Sequence, residues 1–186
     1  MTLRISKVVA FTAAVTFVAA TFHPIARAQA AGAAPSDPQI VGIVVAAANQ
    51  IDIAYAKLAL SKSKNKEVRD FAQQMATDHS ALQKSVSDLG AKLNVTPADS
   101  DTSKSLKSQS EETTQKLQAL KGKAFDKAYI DNEVAYHKAV INAVSSVLIP
   151  NAQNAELKSA LEGAAPLFQG HLEHAQKVQA DLEGGH

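Results

Sequence analysis

Apolar residues recur along most of this chain at steps of three and four, the period of helices with one buried stripe. Ile40, Val44, Ala47, Ile51, Ala54 and Leu58 mark a first helix, A, over about 38–60. Asp37-Pro38 opens it, a capping carboxylate followed by proline at the first helical position. Ser61 to Asn65 makes a turn, with Asn65 placed to cap the next helix. Helix B follows over about 66–93, with Val68, Phe71, Met75, His79, Leu82, Val86, Leu89 and Leu93 in line. Residues 94–102 read as a loop. Residues 103–121 are polar, with a thin seam of Leu106, Thr113, Leu117 and Leu120, and read as a surface helix. Gly122 interrupts. Helix C over about 124–148 carries Asp126, Ile130, Glu133, His137, Val140, Val144 and Val147 on its inward line. Helix D over about 152–182 carries Leu157, Leu161, Ala164, Phe168, His171, Ala175, Val178 and Leu182, and Pro166 inside it predicts a kink or short break.

The start of the chain has a different pattern. Arg4 and Lys7 precede an unbroken apolar run from Val8 to Phe22, and Ala26-Arg27-Ala28 offers the small-x-small signature of a signal peptidase site. That layout predicts a secretory signal peptide over 1–28, cleaved after Ala28, and a periplasmic or secreted product. Residues 29–36 form a flexible lead-in and 37–183 the helical domain. No second long apolar run is read after Phe22, so no bilayer span is expected once the leader is removed.

Composition narrows the class. The 186 residues include no cysteine, which excludes disulfides, thiolate metal sites and cysteine nucleophiles. Removing Arg4, Lys7 and Arg27 leaves 16 basic residues against 18 acidic, a charge of −2, so nucleic acid is not an expected partner. Scarce glycine, proline and aromatics disfavour a β fold. Two long helices, a long connection and two more predict an all-α four-helix bundle whose crossover contains the extra polar helix. The polar helix is long enough to return the chain to the opposite end, so A runs up, B down, C down and D up.

In that topology three histidines converge. His79, His137 and His171 each fall on an inward stripe of a different helix, and Asp52 and Glu133 lie near them. Helical side chains lean toward their own N-terminus, which brings the group to within about 6 Å of one level. Imidazoles and carboxylates in one layer suit a first-row ion such as Fe, Mn, Zn or Cu. Asp78, next to His79, points another way and suits orienting a different ligand. His174 forms with His171 a two-point alternative. No phosphate loop, G-x-S-x-G or H-E-x-x-H is present, so no motif marks an enzyme.

The stretch NQIDIAYAKLALSKSKNKEVRDFAQQMATDHS (49–80), with AFDKAYIDNEVAYHKAVI (124–141) and LFQGHLEHAQ (167–176), resembles a family of secreted ferritin-like proteins of Gram-negative bacteria. Its members carry the label of a domain of unknown function or of an outer membrane protein. Phe71, Asp78, His79, Asp126, Tyr129, His137 and His171 match its motif positions. The resemblance implies a ferritin-like four-helix fold and an envelope location, with no settled activity. The di-iron pattern of ferritins, with Glu-x-x-His on two helices, is absent. Two functions follow as expectations, ahead of a third, an oxidoreductase using bound iron or manganese, which would need an open coordination position and a substrate channel. One is a periplasmic metal-binding protein serving envelope stress or metal handling, with His79, His137, His171, Asp52 and Glu133 as ligands. The other is a non-catalytic envelope interaction protein whose histidines are hydrogen-bonded core residues. An envelope protein or a second copy of the chain is the kind of partner either would take.

Overall fold

The computed structural model describes residues 34–184. The predicted leader 1–28, its cleavage site and most of the lead-in lie outside those residues. All regular structure among them is helical. Helix α1 (Asp37–Lys62) contains a π-helical turn, Val44–Ala48. Helix α2 is Lys66–Lys92 and α3 is Asp101–Ala119. Helix α4 (Gly122–Ala143) continues through a second π turn, Val144–Leu148, into a last turn, Ile149–Asn151. Helix α5 is Ala155–Gly184.

Local chemistry sets most boundaries. Asn65 Oδ1 accepts the Val68 backbone N–H at 3.1 Å and starts α2, the role expected of it. Ser100 Oγ accepts from the Ser103 N–H at 3.0 Å, which starts α3 two residues earlier than the pattern suggested. At α1 the cap is Ser36, whose N–H donates to Gln39 Oε1 at 3.0 Å. Asp37 does something else: its two carboxylate oxygens accept the backbone N–H groups of Gln153 and Asn154, at 2.8 and 2.9 Å, just before α5.

Contacts between chain ends fix the directions. The start of α1 meets the start of α5 through Asp37, and Lys92 at the end of α2 pairs with Glu156 at the start of α5. The Ala98 N–H donates to the Pro38 carbonyl at 2.8 Å, so the loop before α3 lies at the same end. At the far end, Lys62 donates to the Gln118 carbonyl, and Lys127 pairs with Glu183 at 3.2 Å. Helix α3 therefore carries the chain back along the molecule, and α4 descends from the end where α2 began. Helices α1 with α2, and α4 with α5, pack most extensively as pairs. Phe71, Met75, Phe125, Tyr129, Ile130 and Leu157 are fully buried between them. Helix α3 buries only Ser103, Leu106, Thr113 and Leu117.

Three expectations fail here. Ala54 is exposed and Leu58 only half-buried, although both belonged to the expected stripe of helix A. The π turn is the reason: the Asn49 N–H bonds to the Val44 carbonyl five residues back, and the rest of α1 rotates accordingly. Asn49, Ile51, Asp52, Tyr55, Ala56 and Ala59 become the buried face. Of the kink or short break expected at Pro166, the break does not occur, since α5 runs through it. Pro166 and Glu162 are both exposed, so water can bond the Glu162 carbonyl that the ring leaves free. Finally, α1 is a second stretch long and apolar enough to cross a bilayer by length and composition. More than half of its most apolar window, 56%, is buried in the protein, as in the core helix of a domain.

Candidate metal centre

The rotation of α1 after its π turn points Asp52 inward, where it joins a group of side chains from α2, α4 and α5. Asp52, His79 from α2, Glu133 and His137 from α4, and His171 from α5 are all buried, at 3% exposure or less. The imidazole centroids are 5.7 Å apart for His79 and His137, 5.1 Å for His79 and His171, and 5.3 Å for His137 and His171. Donor atoms of the three histidines lie within 4.8 Å of one another, and so do those of Asp52, Glu133 and His137. The five residues nominated from the sequence thus form one cluster, with His137 common to both groups. His174 stands apart: its Nδ1 is 2.8 Å from Gln74 Oε1 and its ring packs on Phe71.

Each imidazole has one nitrogen engaged away from the other two rings. His79 Nδ1 donates to Asn49 Oδ1 at 2.8 Å. His137 Nδ1 donates to the Glu133 backbone carbonyl at 3.0 Å. His171 Nε2 donates to Asp78 Oδ2 at 2.9 Å, the orienting role expected of Asp78. A neutral imidazole carries a single N–H, so these bonds leave lone pairs on His79 Nε2, His137 Nε2 and His171 Nδ1. All three of those nitrogens are buried and have no hydrogen-bond partner among the described residues. This is the arrangement by which an outer acceptor fixes the tautomer of a metal-ligating histidine.

The carboxylates are equally unsatisfied. Both oxygens of Asp52 and both of Glu133 are buried without a hydrogen bond. Asp52 Oδ2 stands 3.1 Å from His79 Nε2 and 3.6 Å from His137 Nε2. Two acceptors facing each other at that range require a proton or a cation between them. Burial raises the Asp52 carboxyl from its ordinary 3.8 to about 8. Burial, and next the charge of Asp52, push Glu133 well above its usual range. Burial also lowers His79 to about 3 and His137 to about 4, so both rings are neutral at physiological pH. His171 is lowered by burial too, while Asp78 pulls it the other way. Three neutral imidazoles with two carboxylates balance one divalent cation. A tetrahedral ion with bonds of about 2.0–2.2 Å holds its ligand atoms roughly 3.3–3.6 Å apart, close to the Asp52 distances.

Other groups border the cluster, and not all of them were legible in the sequence. Asn49 is the largest omission, because an asparagine on an apolar stripe carries no periodic signal of its own. Tyr136 donates its hydroxyl to the Ala48 carbonyl at 2.9 Å and stacks edgewise on Tyr55 and His137, at 6.1 Å from each. It therefore braces the π turn against the histidine. The Tyr129 hydroxyl and Asn132 Nδ2 are further buried groups without partners on the helix that supplies Glu133.

Fold and site together define an all-helical protein with a buried His/carboxylate cluster able to hold a metal ion. The chain belongs to the family described as Domain of unknown function (DUF4142), which matches residues 23–178. That agrees with the resemblance drawn from FAQQMATDHS and GHLEHA as far as an uncharacterised domain family goes. Neither a curated protein nor a solved structure matches the chain.

Proposed function

We propose that this protein is an exported, ferritin-like four-helix bundle that binds one first-row transition metal ion, Fe, Mn, Zn or Cu, in its core. His79 Nε2, His137 Nε2, His171 Nδ1 and an Asp52 oxygen are the ligands, and Glu133 is the second carboxylate that balances charge or adds a fifth bond. The observation that carries this reading is the set of three unpaired inner ring nitrogens, each with its other nitrogen held from outside. A histidine kept only for core hydrogen bonding has no use for that pattern, since an unpaired buried acceptor costs stability. The missing Glu-x-x-His pairs favour a mononuclear centre over a di-iron oxidase. The basic start, apolar run and Ala26-Arg27-Ala28 favour export, where the protein would serve metal handling or envelope stress.

The test is elemental analysis of untagged protein, followed by titration of the EDTA-treated form with each metal. About one equivalent of a transition metal, lost on His137→Gln, is the expected result. Protein that arrives metal-free and takes up none of the four ions at micromolar concentration refutes the reading.

A further inference from the structure

Between His79 and the end of the molecule where α1 begins lies a cavity of about 720 Å³, within the range of small-molecule sites. Its walls are mostly apolar, with Ile43, Val86, Val140, Leu161 and Phe168 among them, and His79, Ser105 and Tyr136 add polar groups. Both π turns line it, through Val44 and Ala48 on one side and Val144, Val147 and Leu148 on the other. An extra residue per turn in two helices at the same level widens the space between them. The exposed Asp101 and the half-buried Asn151 mark the mouth.

The polar groups restrict what this space can take. Among the described residues no lysine or arginine lines it, and the one carboxylate that does is Asp101. An anionic headgroup would meet repulsion at the mouth and nothing to neutralise it inside. At the inner end Asn49 is 2% exposed. Its Oδ1 is committed to His79, while its Nδ2 is buried without an acceptor. That amide is a donor awaiting an uncharged oxygen.

We propose that the cavity binds an uncharged lipophile with a hydroxyl or carbonyl oxygen at its leading end, received by Asn49, and a hydrocarbon tail lying between the two π turns. The site stands apart from the metal reading and does not require an ion.

The neutral dye N-phenyl-1-naphthylamine tests this by fluorescence titration of the whole protein, EDTA-treated and metal-loaded, with metal content read in the same samples. Saturable binding is expected, with 1-decanol displacing the dye about tenfold more effectively than decanoate at neutral pH. Ala164→Phe and Ala143→Leu, which fill the cavity from α5 and from α4, should weaken dye binding about tenfold or more and leave metal uptake intact. Absence of saturable binding, equal displacement by decanoate, or undiminished binding in both folded variants overturns the proposal. Displacement on the wild-type chain decides it even where neither variant folds, and a protein that binds dye but no metal refutes only the metal reading.

Discussion

Asp52 is the residue on which the chemistry of the core turns, because it is a buried acid facing two ring acceptors. Without metal its carboxyl must stay protonated, and pH reports this. A group raised from 3.8 to about 8 contributes stability that is full below its unfolded value and lost as pH rises through the folded one. His79 and His137 have the opposite sense: lowered from 6.5, they contribute stability that is full above 6.5 and lost as pH falls toward 3 or 4. Above 6.5 the histidine contributions are flat and the acids alone act. Metal-free protein should therefore lose stability between pH 6.5 and 8, and urea melts across that window should show it. Asp52→Asn should flatten the slope and keep or raise stability of the metal-free form, while metal affinity drops more than roughly 100-fold. Asn49→Ala should cost metal affinity about 10–100-fold, as is usual when the outer partner of a ligating histidine is removed. Isothermal titration with metal separates the two variants. An Asp52→Asn protein that binds metal like the parent would remove Asp52 from the ligand set.

At the level of elements, the tightest constraint lies away from the site. A Cβ on Gly42 would sit 2.0 Å from the Ala98 carbonyl oxygen, so glycine is what lets the loop before α3 cross α1. Gly42→Ala must push backbone from backbone and should cost about 1–3 kcal/mol, measured by chemical denaturation. A parent-like midpoint would mean that the loop yields freely. The helices themselves were legible because periodicity is a strong signal: His79, His137 and His171 each occupy a step of three or four on a stripe whose other members, Met75, Val140, Phe168 and Ala175 among them, are buried. The π turns were not legible, since no residue type demands an extra residue in a turn. For that reason Ala54 was assigned to the core and Asn49 went unnoticed, although Asp52 was found. Pro166 misled for a related reason. Its missing donor matters only where water cannot replace the bond, and exposure is not readable from one proline.

At the scale of the whole molecule, an ion bound to the native state alone must raise its stability by mass action. At a free concentration about a hundred times Kd the gain is about 2.7 kcal/mol, or roughly 5–10 °C for a chain of this size. Scanning calorimetry with and without EDTA reads it, and an unchanged transition would place the ion elsewhere or nowhere. The same centre is divided between two packing units. The α1–α2 pair supplies Asp52 and His79; the α4–α5 pair supplies Glu133, His137 and His171. Neither hairpin holds a complete coordination sphere, and between them the chain makes its detour through the sparsely buried α3. The ion would act as a clasp across the seam, adding to the side-chain packing, the polar tether and the bonds of Asp37, Lys92 and Tyr136 that already join the halves. Amide exchange along the facing surfaces of α1 and α4 should then slow when metal is added, more than exchange within either hairpin.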